Sequence, residues 1–192
     1  MSLLAGYLVA VAVALPAAAH ETQYIAVLNG LGEIPVNASP GAGLATITVD
    51  FDLVTMRVQA SFSDLIGTTT ASHIHCCTLT PGSANVGVAT GLPTFAGFPL
   101  GVTSGTYDHT FDMALASSYN PAFVTAQGSD NAFSALVAGM DTGNAYFNIH
   151  TTSFGGGEIR GLLHPVPEPQ TYALFGVGLG VVAWVVRRRR IR

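Results

Sequence analysis

The sequence predicts an all-β fold: an antiparallel β-sandwich of Greek-key or immunoglobulin-like type with one short helix. Three observations carry this. Leu44–Phe51 alternates, with Ala45, Ile47, Val49 and Phe51 on one face and Thr46, Thr48 and Asp50 on the other. Val54–Phe62 repeats the pattern, with Met56, Val58, Ala60 and Phe62 inward and Thr55, Arg57, Gln59 and Ser61 outward. Successive side chains of a strand point to opposite faces, so such runs are strands buried on one side. Thirdly, glycine and proline clusters break the chain at short intervals, as at Gly30–Pro35 and Pro40–Gly43.

The elements follow in order. Residues 1–19 read as an export signal, a helix whose apolar run Leu3–Leu15 is too short to span a bilayer and is followed by Ala17-Ala18-Ala19. Thr22–Asn29 is the first strand. The two alternating runs, joined at Asp52-Leu53, form a hairpin, with Asp50 and Asp52 as strand-end and turn residues. The strand around Ser72-His73-Ile74-His75-Cys76-Cys77 comes next. Leu79–Thr106 is rich in glycine and proline, and so long a connection reads as a functional loop or flexible flap. Tyr107–Met113 returns to a strand. Ser129–Met140 is the expected helix, near Asp130–Gly139, since Ala132, Phe133, Leu136, Val137 and Met140 recur at helical spacing. Ala145–His150 and Glu158–Leu163 are the last two strands.

Charge is unevenly placed. Between Glu21 and Glu168 eleven carboxylates face only Arg57 and Arg160, a net charge of about −9. That surface repels phosphate backbones and excludes nucleic acid as a partner. Five of the seven basic residues lie at Arg187–Arg190 and Arg192. Ahead of them Thr171–Val186 is almost wholly uncharged, sixteen residues giving roughly 24 Å of helix. This reads as a transmembrane helix over 171–186, its arginines snorkelling and held in the cytoplasm by the positive-inside rule. The domain then lies on the periplasmic side of the inner membrane.

Two histidine-bearing strands carry the candidate site. His73 and His75 share a face, as do Tyr146, Asn148 and His150 on the later strand. One reading is a metal centre in which His73, His75 and His150 hold copper or zinc with an open position. Cys77 has the parity of the two histidines and is a weaker fourth candidate, which requires the strand to bend. In that reading Glu158 or Asn148 orients a ligand imidazole through its second nitrogen. The other reading is a structural network in which Glu33, Asn148, Glu158 and Arg160 hydrogen-bond with the imidazoles. Arg160 decides between them. Paired with a glutamate and turned away, it leaves the metal site open. Cys76 and Cys77 are expected as one buried and one exposed thiol, since adjacent Cα atoms at 3.8 Å lie below the usual disulfide range. No Gly-x-Ser-x-Gly elbow or paired-carboxylate signature is present, which points away from an enzyme.

The tail resembles the PEP-CTERM sorting signal of exported Gram-negative proteins. It matches in Val166-Pro167-Glu168-Pro169, the apolar helix and the cluster Arg187, Arg188, Arg189 and Arg190. The resemblance implies recognition by an exosortase, cleavage near the Pro-Glu-Pro element, and delivery to the cell surface or an exopolysaccharide matrix. The central region resembles the CHRD domain. The matching residues are Asn29-Gly30 through Glu33-Ile34-Pro35, Ala71–His75, Gly143–Thr151 and Gly157–Gly161. That resemblance implies an all-β sandwich, and the adjacent Cys76-Cys77 departs from the animal pattern. The chain therefore divides into a signal peptide at 1–19, a CHRD domain at 20–164 and a sorting signal at 165–192. The expected role is a non-enzymatic binding or structural module of the envelope or matrix. The alternative is a metalloprotein, redox active in one form.

Overall fold

The computed structural model describes residues 20–167, together with Gly176, Gly178, Leu179, Gly180, Val182 and Arg187, which are helical. The expected signal helix at 1–19 and most of the expected membrane span at 171–186 lie outside the described residues. No helix among the described residues is long and apolar enough to cross a membrane.

Within residues 20–167, eight strands and two α-helices follow one another as β1 (Glu21–Asn29), β2 (Ala42–Asp50), β3 (Thr55–Ser63), β4 (Thr69–His75), β5 (Gly105–Asp112), α1 (Pro121–Gln127), α2 (Ala132–Asp141), β6 (Tyr146–Thr151), β7 (Ile159–Leu162) and β8 (His164–Pro165). All strand pairs are antiparallel, in the order β4-β6-β7-β1-β2-β3-β5, with β8 on β1. The sandwich expectation is corrected here. The strands form one curled sheet, a half-barrel, and not two facing sheets. The reason lies in β1. It pairs with β2 along its whole length, and on its other edge with β7 and β8 in one register, Asn29↔Arg160, Ile25↔His164 and Tyr24↔Pro165. Hydrogen-bonded on both edges, β1 joins the β4-β6-β7 part to the β2-β3-β5 part in one continuous sheet. Gly161 permits this approach, because a Cβ there would run into the Val27 carbonyl.

The alternation seen in the sequence fills the concave face. Tyr24, Ala26 and Leu28 of β1, Ala45, Ile47 and Val49 of β2, and Met56 and Val58 of β3 are buried with Phe147, Ile149 and Ile159. Removing such side chains from water is the main drive for the fold, at roughly 1.5–3 kcal/mol each. Leu136 and Met140 of α2 close the same core, and Tyr24 Oη donates to Asp141 Oδ1 at 2.7 Å across the helix end. Asp50 Oδ1 accepts from the Asp52 and Leu53 amides at 2.9 Å each, forming the hairpin turn.

Two helices stand where one was expected. α1 begins at Pro121 with the Asn120 side chain accepting from the Ala122 amide at 3.0 Å, a proline-after-cap start too short to show periodicity. The glycine- and proline-rich stretch after β4 is no loose flap. It runs beside the outer edge of β4, with Ala89 N donating to Ile74 O at 2.9 Å and Phe95 N to Ser72 O at 3.1 Å. Phe95 and Phe98 are inserted into the core. An exposed strand edge is thereby covered.

Candidate metal centre

β4 and β6 are neighbours in the sheet, with His73 opposite Asn148, His75 opposite Tyr146 and Ala71 opposite His150. The shared parity places the three imidazoles on one face. Their ring centroids stand 5.9 Å (His73–His75), 5.4 Å (His73–His150) and 5.7 Å (His75–His150) apart, a nearly equilateral triangle. One ring nitrogen from each lies within 4.8 Å of the other two. Three nitrogens bound at ~2.0–2.1 Å in a tetrahedral arrangement stand roughly 3.3–3.4 Å apart. Small side-chain rotations close that gap.

Each ring has one nitrogen tied to a main-chain carbonyl. His73 Nε2 lies 2.7 Å from Pro93 O, His75 Nδ1 2.8 Å from Val86 O, and His150 Nδ1 3.0 Å from Gly155 O. A carbonyl only accepts, so the nitrogen facing it carries the hydrogen and the lone pair sits on the other. Those others, His73 Nδ1, His75 Nε2 and His150 Nε2, are buried with no hydrogen-bond partner. Three unpartnered lone pairs in so small a space are costly in an empty protein. A metal ion bound there would satisfy all three. Main-chain carbonyls fix the tautomers here, in place of the Glu158 or Asn148 side chains expected from the sequence.

The electrostatics keep the rings neutral. Burial pushes the His75 pKa down to about 4 against the pull of the Val86 carbonyl, helped by the charges of His150, His73 and Arg160. Burial also lowers His73, opposed by the Pro93 carbonyl, and lowers His150, opposed by Gly155. Burial raises Glu33 to about 7, with Arg160 pulling the other way. The linkage signs are opposite. Histidine stability is present above the unfolded value of 6.5 and is lost as pH falls through the lowered folded values. The Glu33 contribution is present below 4.5 and is lost as pH rises toward about 7. His75 alone is worth on the order of 3 kcal/mol, and Glu33 offsets a similar amount in the same window. Glu33→Gln should therefore steepen the loss of stability of the metal-free protein between pH 6.5 and 4.5. Urea midpoints across that range check it, and an unchanged slope would contradict the opposing roles.

Arg160 is turned away from the imidazoles. Its Nε is 3.1 Å from Glu33 Oε2, off the line of a hydrogen bond, and its Nη2 donates to Asn85 Oδ1 at 2.8 Å. Its guanidinium carbon sits 4.6 Å from the centroid of the Tyr146 ring, and Tyr146 stacks on His75 at 4.8 Å with planes 7° apart. β4 and β7 flank β6 on opposite sides, so Tyr146 stands between the cation and His75. By the criterion set from the sequence, this arrangement leaves the centre open to a metal ion.

Two expected members are elsewhere. Glu158 is not in the network: its carboxylate turns to the Thr151 side, bonded to Ser39, Ile66, Gly67 and Thr151. β7 begins at Ile159, so Glu158 lies just outside the strand and strand parity does not extend back to it. Cys77 is no ligand candidate, since its sulfur is bonded to Cys76 and faces α2, 3.6 Å from Ala135 O. The two-thiol expectation assumed a trans peptide. The Cys76–Cys77 peptide is cis, with Cα atoms 3.0 Å apart. Gly139 makes room for the pair, because a Cβ there would strike both sulfurs.

The family model of the CHRD domain matches residues 24–163. The chain belongs to the CHRD-domain family. The PEP-CTERM protein-sorting motif matches residues 165–190, directly after the CHRD domain, and marks an exported protein with an exosortase as its processing partner. No curated protein and no solved structure matches the chain. The histidine triangle lies wholly within the CHRD match, on the two strands Thr69–His75 and Tyr146–Thr151.

Proposed function

We propose that this exosortase-sorted CHRD protein is a metal-binding module of the cell envelope or exopolysaccharide matrix, holding one copper or zinc ion between His73, His75 and His150. The supporting observation is the set of three buried, unpartnered imidazole nitrogens, each on a ring whose other nitrogen is fixed by a main-chain carbonyl. Neutral imidazole donors suit zinc and copper, and three of them leave a coordination position open. In this reading the role is non-enzymatic and rests on holding an ion. Residues 171–186 anchor the precursor in the inner membrane, domain outward, until cleavage near Pro167-Glu168-Pro169 releases it.

The test is made in an exosortase-containing host. The mature surface protein should lack residues 1–19 and the arginine tail by intact mass, and after dialysis against Zn²⁺ or Cu²⁺ it should retain one ion per chain. Recovery of the full-length tail on surface material would count against the sorting route. Less than a tenth of an equivalent of metal would count against the centre.

A further inference from the structure

The charge around the histidine triangle bears on which ion it holds. The three free ring nitrogens belong to neutral imidazoles, because each ring's hydrogen lies on the nitrogen that faces a carbonyl. Among the described residues no carboxylate or thiolate completes the group. Glu158 is bonded to four donors elsewhere, and the two cysteine sulfurs are bonded to each other. A bound ion therefore keeps its full charge. Arg160 stands behind the triangle, its guanidinium carbon 4.6 Å from the centroid of the Tyr146 ring that stacks on His75. Its partner Glu33 balances that charge and leaves no surplus anion to offset a cation.

The triangle is also closed. His73 and His75 are 5% and 8% exposed. His150 is half-buried, but its Nε2 is buried like the other two free nitrogens. The cost of burying a charge grows with its square, so a dication costs about four times as much as a monocation.

Coordination number points the same way. Zn²⁺ takes four ligands in a tetrahedron, and Cu²⁺ prefers four in a plane. Cu⁺, with a filled d shell and a single charge, is satisfied by three. A water completing a tetrahedron would stand roughly 3.3–3.4 Å from each nitrogen, close to contact distance. Nitrogens that are buried from water leave it no such place. The near-equilateral rings, 5.4–5.9 Å apart, suit a trigonal ion.

Resting on the metal reading above, we infer that the ion is monovalent copper, held by His73 Nδ1, His75 Nε2 and His150 Nε2 alone in a closed, three-coordinate site. The module then stores copper in its reduced form and shields it from oxygen and from exchange with small ligands.

The full chain, loaded with copper under ascorbate, tests this. Ascorbate reduces Cu²⁺ and spares the disulfide. Competition with bicinchoninate should show one Cu⁺ per chain, held at least roughly a hundredfold more tightly than Zn²⁺ is held in a parallel chelator titration. X-ray absorption should show three nitrogen neighbours at about 2.0 Å and no fourth ligand. In air, the loaded protein should show no Cu²⁺ paramagnetic resonance signal after free Cu⁺ in the same buffer has oxidised. The His73→Ala, His150→Ala double variant should lose the copper, and copper retained by that variant overturns the inference. A fourth ligand, a full Cu²⁺ signal in air, or Zn²⁺ held as tightly as Cu⁺ overturns it too, and leaves the metal reading standing. A chain that holds neither ion defeats both.

Discussion

Replacing His73 and His150 together by alanine should abolish specific binding of Zn²⁺ and Cu²⁺. The pair supplies two of the three ring nitrogens that lie within 4.8 Å of one another, and it spans both strands, so neither β4 nor β6 retains the site alone. Disturbing only the group that orients a ligand costs about 10–100-fold in metal affinity. Loss of two ligands should therefore exceed roughly a thousandfold. A competition titration with a chromophoric chelator reads this directly. The control is Asn148→Ala, since Asn148 sits opposite His73 in register but makes no hydrogen bond to any of the three rings. Its zinc affinity should stay within a few-fold of wild type. Equal, weak binding by wild type and the double variant would leave the histidines as buried polar residues with no ion to hold. The wild-type affinity should also fall on acidification, because protons compete for the lone pairs. The lowered histidine pKa values hold that loss below pH 6.5.

The parts of this centre legible in the sequence are those that strand parity governs. His73 and His75 share a face because they are two apart, and His150 joins them because its strand is the neighbour in the sheet. The groups that orient the rings were not legible. Pro93, Val86 and Gly155 act through main-chain carbonyls, which every residue carries, so no residue type marks them. The stretch that supplies two of them reads from composition as a loose flap. Its order comes from pairing with the outer edge of β4, a tertiary contact. Parity failed at Glu158 because β7 begins only at Ile159, one residue later. The same limit applies to the sheet as a whole. Alternation says which side chains are buried, and it is identical for a sandwich and for one curled sheet. The difference rests on β1 pairing on both edges, with β2 on one side and with β7 and β8 on the other, which no local pattern encodes.

Glu158→Gln should be among the most damaging single changes to the fold, even though it alters one atom type. Glu158 is fully buried, and among the described residues no cation is bonded to its carboxylate. Its charge is held by four donors. Oε1 accepts from Ser39 Oγ at 2.6 Å and Ile66 N at 2.5 Å, and Oε2 accepts from Thr151 Oγ1 at 2.6 Å and Gly67 N at 3.1 Å. Burial alone would raise its pKa, but the bonds from Ser39, Thr151, Ile66 and Gly67 outweigh it and hold the group below the usual carboxylate range. The side chain thus ties the loop before β2 and the loop after β3 to the end of β6 and the start of β7. A glutamine puts an N–H₂ where an acceptor is required, facing either Ser39 and Ile66 or Thr151 and Gly67. At least one main-chain amide is then left without an acceptor, and the loss of charge weakens the remaining contacts. The expected cost is about 3–5 kcal/mol, the range for breaking a buried charged network. For a domain of this size that lowers the melting temperature by roughly 10 °C. Asp108→Asn gives the contrast: it breaks the surface pair with Arg57, whose side chains are 50% and 48% exposed, and should leave the melting temperature unchanged. Thermal melts of the two variants beside wild type decide the matter. A Glu158→Gln protein melting within about 1 °C of wild type would show that the four donors find other acceptors.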